Sequence, residues 1–68
     1  MRTVIDRLRN SGIQPTPQRI AVAEFVLSTA AHPTAEEVWM HVRTRCPTLS
    51  RATVYNTLNL FAEKGLLK

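Results

Sequence analysis

Cysteine is nearly absent from this chain: Cys46 is the only one among 68 residues. No disulfide can form within one chain, and no zinc site can be built from paired cysteines. There is no glycine-rich phosphate loop, no paired cysteine or histidine ligands and no nucleophile–base pair, so an enzyme is not expected. No apolar run approaches the ~20 residues needed to cross a bilayer. The start, Met1-Arg2-Thr3-Val4-Ile5-Asp6, is charged early and lacks the apolar stretch of a secretion signal. A soluble cytoplasmic protein with no membrane partner is therefore expected. Acidic residues are also scarce, five against nine basic ones, and none falls in the 25 residues between Glu37 and Glu63.

Arginine supplies seven of the nine basic residues, and the formal net charge is +4. Its planar fork of donors suits phosphates and guanine edges. Charge alone argues only weakly for nucleic acid, since many small basic domains never touch it. The 68 residues allow one domain, residues 1–68. A domain this small hides only about 60% of its unfolded surface, so it needs an efficient helical core or a partner.

Four helices can be read, with no repeat, linker or low-complexity tract. The first is expected over Arg2–Asn10, with Val4, Ile5 and Leu8 at helical spacing and Gly12 ending it. The second starts at Thr16-Pro17, an N-cap followed by proline at the first helical position. Its apolar face is read as Ile20, Ala23, Val26 and Leu27, widened by Val22 and Phe25. Thr34 and Glu37 match a capping box at the head of the third helix. Ala35, Val38, Trp39 and Val42 then form one stripe, and the helix is expected to stop near Arg45 because Pro47 disfavours helix at Cys46. Trp39 reads as core, His41 as solvated, and Cys46 as a half-buried small residue. Ser50 caps the fourth helix, Val54, Leu58 and Phe61 form its inner face, and Gly65 closes it. Leu66, Leu67 and Lys68 read as the opening of a strand.

The third and fourth helices are separated by Cys46-Pro47-Thr48-Leu49-Ser50. Two short amphipathic helices joined this tightly can form a helix-turn-helix, whose second helix enters the major groove N-terminus first. Function should then sit on Ser50 to Thr57. Ala52, Asn56 and Asn59 point outward from the apolar face, with Arg51 and Tyr55 on its flank. Ala52 permits close approach, Arg51 can clamp a phosphate or a guanine, and Asn56 can bond a base edge. Tyr55 can meet a thymine methyl or a phosphate, and Thr53 and Thr57 offer hydroxyls to the backbone. The same composition also fits a plain solvated helix face. Such a helical module can also serve as a protein-interaction domain without DNA contact.

Four segments carry a more specific signal: Thr16-Pro17-Gln18-Arg19, His32 to Trp39, Leu49 to Leu58 and Gly65-Leu66-Leu67. In order and spacing they resemble the N-terminal domain of Fur-family repressors, bacterial metal-dependent transcription regulators. The resemblance implies an all-α winged helix-turn-helix core of four helices, with the β-wing cut short after Lys68. It implies a sequence-specific repressor that binds palindromic double-stranded DNA operators as a metal-loaded homodimer. The wing and the C-terminal dimerisation and metal domain of such proteins lie beyond Lys68. By resemblance the DNA-binding set is Arg19, Ser50, Arg51, Ala52, Thr53, Tyr55, Asn56 and Thr57. Tyr55 matches a tyrosine that meets bases, and Arg19 an arginine that holds a phosphate. His32 matches a histidine of the regulatory metal site. Fe²⁺ or Mn²⁺ as regulatory metal and Zn²⁺ as structural metal are expected in a full-length protein. None is expected to bind these 68 residues tightly, because one histidine is too few ligands. Asn56 stands where iron-sensing members usually carry arginine, which favours the peroxide-sensing branch over an iron or zinc uptake regulator. Gln14 replaces a basic residue that probes the minor groove in many members.

Overall fold

The computed structural model describes residues 3–29 and 32–67, and within them the chain forms four helices: α1 (Val4–Asn10), α2 (Pro17–Ser28), α3 (Ala35–Val42) and α4 (Arg51–Glu63). No strand occurs among the described residues. Each helix starts on a hydroxyl cap. The side chains of Thr3, Thr16, Thr34 and Ser50 each accept the backbone N–H three residues on. The box expected at Thr34 and Glu37 is present, and the Glu37 carboxylate accepts the Thr34 N–H at 2.9 Å. A second box, between Thr3 and Asp6, begins α1 at Val4 rather than at Arg2. Arg2 itself lies outside the described residues.

The two glycines close α1 and α4 in one geometry. Gly12 and Gly65 have φ of 76° and 79°, a left-handed conformation that other residues avoid. After α1, the Ile13 N–H reaches the Leu8 carbonyl at 2.9 Å and the Gly12 N–H reaches Arg9 at 3.0 Å. After α4, Leu66 bonds back to Phe61 at 2.9 Å and Gly65 to Ala62 at 3.2 Å. These are Schellman closures, and each folds an apolar residue back onto the helix it ends. The strand read at Leu66-Leu67 is thus corrected for those two residues: they are spent on the α4 closure and pack against the core. Lys68 lies outside the described residues.

The core consists of Leu8, Ile13, Ala21, Val22, Ala23, Val38, Val42, Leu49, Val54 and Phe61. Helix α2 touches the other three helices, so it is buried on several sides. Its most buried residues are Ala21, Val22 and Ala23, while Ile20, Phe25, Val26 and Leu27 are half-buried around them. Two of the three central residues are alanines, which lets its neighbours approach closely. Helix α3 ends at Val42, and the next residues form a turn in which the Arg45 and Cys46 N–H groups both reach the Val42 carbonyl. Arg45 then pairs with Glu24 of α2 at 2.9 Å across the surface. No helix among the described residues is long and apolar enough to cross a membrane.

Candidate nucleic-acid interface

Helix α4 is set by two anchors. Val54 and Phe61, both fully buried, fix which face looks inward. The turn before it is set by Leu49, which is 5% exposed, and by the Trp39 indole N–H, which donates to the Leu49 carbonyl at 3.1 Å. That bond ties the body of α3 to the last residue before the Ser50 cap. The axis and the starting point of α4 are therefore both determined by α3, with which it packs directly.

The outer surface of α4 between Ala52 and Asn59 presents Ala52, Tyr55, Asn56 and Asn59, all exposed, with Tyr55 at 50%. Ser50 and Thr53 are exposed too, and their hydroxyl oxygens lie 2.9 Å apart across the helix cap. Beside this surface runs a cleft of about 290 Å³ between the start of α2 and α4. Thr16, Gln18 and Arg19 line one wall, and Thr53, Asn56, Thr57 and Leu60 the other. Arg19 is half-buried there, with its guanidinium donating to the Gln14 carbonyl at 3.0 Å. The arrangement offers a polar helix end, an aromatic ring and an arginine-flanked groove side by side. Such a surface can meet a phosphate backbone and the edges of bases together.

Two residues of the expected set are placed differently from the expectation. Thr57 is only 7% exposed, and its hydroxyl donates to the Thr53 carbonyl at 2.7 Å. It takes the buried position expected of Leu58, which is half-buried instead. The inner stripe runs 54, 57, 61, so Thr57 falls on it. Its hydroxyl is thus engaged within the helix rather than open, while the residue still lines the cleft. Arg51 is exposed but engaged: its Nη2 lies 3.0 Å from Glu36 Oε1 and its guanidinium carbon 4.5 Å from the Trp39 ring centre. Arg43 approaches the same ring at 4.9 Å. Trp39 is thus half-buried between core and surface. Glu36 places a carboxylate at the edge of the site, a contact sequence spacing does not show.

His32 is exposed just before the α3 cap. No group of three His, Cys, Asp or Glu residues that could hold a metal occurs among the described residues. His41 is exposed as expected, yet its ring stacks on Phe25, with centroids 4.1 Å apart and planes at 19°. Cys46 is half-buried against the core, as its sequence context indicated.

A three-helix scaffold that presents the polar N-terminal half of a fourth helix across a tight turn is a helix-turn-helix module. Comparison with known proteins makes the class specific. A profile of the ferric uptake regulator family matches residues 10–68. This chain belongs to that family. It is 38% identical over 68 residues to the peroxide operon regulator of Bacillus subtilis (strain 168), covering all of this chain and 47% of that protein. It is 41% identical over 64 residues to the peroxide-responsive repressor PerR of Staphylococcus saprophyticus, covering 94% of this chain and 43% of that protein. Among solved structures, GAS PerR-Zn-Zn superposes with a TM-score of 0.77 at 31% identity, over 91% of this chain and 40% of that one. The chain is therefore a PerR-like member of the family, and it spans less than half the length of these relatives.

Proposed function

We propose that residues 1–68 are the DNA-binding domain of a metal- and peroxide-responsive transcriptional repressor, not an enzyme, and that α4 is its recognition helix. The observation that carries this reading is the outward face of α4. Tyr55 and Asn56 stand exposed on it beside the cleft that holds Arg19. Asn56 has the paired donor and acceptor that match an adenine edge, Tyr55 has a ring for a thymine methyl, and Ala52 leaves room for both. In this reading Arg19, Ser50 and Thr53 meet the phosphate backbone. The names of the relatives, peroxide operon regulator and peroxide-responsive repressor, support a repressor in the peroxide branch.

In the same reading, the whole protein binds palindromic operators as a homodimer in the cytoplasm. The dimerising part lies outside this chain. A regulatory Fe²⁺ or Mn²⁺ and a structural Zn²⁺ belong to that larger protein, and a zinc-bearing neighbour, GAS PerR-Zn-Zn, supports the zinc. His32 is this chain's candidate ligand. Among the described residues no three possible ligands come together, so His32 would need partners from the rest of that larger protein.

The test is a titration of this chain against duplex DNA at two salt concentrations. Three phosphate contacts would weaken binding roughly fortyfold between about 50 and 200 mM salt. Binding that ignores salt, or none at all even by two chains joined as a forced dimer, would overturn DNA recognition and leave a protein-interaction module. Asn56→Arg then separates the branches, because it should change which duplexes the chain selects from a random pool. Unchanged selection would mean that position 56 reads no base.

A further inference from the structure

Arg51 is the one arginine of α4, and it is held on an edge and on a face. Glu36 takes the edge at 3.0 Å, and the Trp39 ring takes the face at 4.5 Å. A surface ion pair alone is loosely held in water. Here the guanidinium also stacks on an indole, and the attraction of a cation for the ring restricts it further. The indole is itself fixed by its bond to the Leu49 carbonyl. Glu36 stands in the first turn of α3, where the positive end of the helix favours its charge. A carboxylate thus faces the one cation that α4 itself carries. The pair is close to neutral when seen from a distance.

We infer that Glu36 is a specificity-determining residue: together with Trp39 it withholds Arg51 from phosphates in the DNA-free chain. This rests on the reading of α4 as the DNA-facing helix. Sequence-independent binding draws on the phosphate-neutralising cations that a surface offers. A paired arginine contributes little to it until its carboxylate is displaced or shared. Random duplex is then held weakly, while the contacts of Tyr55 and Asn56 to bases are untouched. The latch lowers background affinity more than it lowers sequence-specific affinity.

The test uses Glu36→Gln, Arg51→Ala and the double variant with a short random-sequence duplex. Glu36→Gln should tighten binding about three- to tenfold at low salt, and steepen the salt dependence by up to about 0.9 in log–log slope, the equivalent of one phosphate contact. In the Arg51→Ala background, Glu36→Gln should no longer steepen the slope. Equal tightening in both backgrounds would overturn the inference, since Glu36 would then act by plain repulsion of DNA. A second readout needs no DNA. Trp39 is the only tryptophan and both Arg51 and Arg43 lie over its ring, so with Arg43 kept in every form a change in its emission reports the Arg51 guanidinium. Arg51→Ala and Glu36→Gln should each shift it, and the double variant no more than Arg51→Ala does. Unchanged emission in both single variants would overturn the latch. If no form binds DNA even at low salt, the DNA reading fails, and the emission alone decides whether the latch exists.

Discussion

Replacing Thr57 by valine separates structure from recognition at the centre of α4. The Thr57 side chain is 7% exposed and its hydroxyl donates to the Thr53 carbonyl at 2.7 Å. That carbonyl is also the acceptor of the regular helical ladder, so it keeps a partner when the hydroxyl goes. Losing the bond costs about 1 kcal/mol net, and the extra buried methyl returns about 0.8 kcal/mol. The two nearly cancel, so stability should move by less than about 1 kcal/mol, a shift in Tm within about 4–8 °C for a domain of this size. DNA affinity should change less than about twofold, because the hydroxyl is committed inside the protein. If Thr57 instead bonded a phosphate, the loss would be about 1.5–3 kcal/mol, roughly ten- to 150-fold. Thermal denaturation followed by circular dichroism, together with a DNA titration of the same sample, reads both quantities. A tenfold loss of DNA affinity with an unchanged melting curve would refute the burial of this hydroxyl.

Two further substitutions probe how α4 is held. Trp39→Phe removes the donor to the Leu49 carbonyl, and should cost about 1 kcal/mol, or up to about 3 if that carbonyl finds no water. Circular dichroism must follow its unfolding, because the only tryptophan is gone. Gly65→Ala meets no atom within 4 Å, so its cost is purely that of a left-handed backbone, about 1–2 kcal/mol, measured as a fall in denaturation midpoint. A midpoint unchanged by Gly65→Ala would mean that the closure after α4 does not depend on that conformation.

What could be read from the residues was mainly local. Thr16-Pro17, the Thr34–Glu37 box, Ser50 and the two glycines mark helix ends through bonds that span three to five residues, and all appear in the structure. The Thr3–Asp6 box is hard to read from the residues because aspartate is a less usual partner at that position than glutamate or glutamine. The exposed face of α4, from Ala52 to Asn59, follows from the spacing of Val54 and Phe61. Thr57 was misplaced because a threonine at an inward position counts as polar in an apolar pattern, although its hydroxyl can bond to its own helix. The contacts of Arg51 with Glu36 and Trp39 join residues 15 and 12 positions apart in the chain. Only the packing of α3 on α4 brings them together. The stack of Phe25 on His41 is hidden for the same reason.

The central claim is that α4 reads DNA, and Tyr55→Ala tests it most directly. Tyr55 is 50% exposed and outside the core, so its removal should leave the melting curve in place. The chain is titrated, with and without this change, against a labelled duplex that it has itself selected from a random pool. The account predicts salt-sensitive binding that Tyr55→Ala weakens by about 1–3 kcal/mol, roughly five- to 150-fold. Equal affinity of the two forms for that duplex, or no salt-sensitive binding by either, would contradict it.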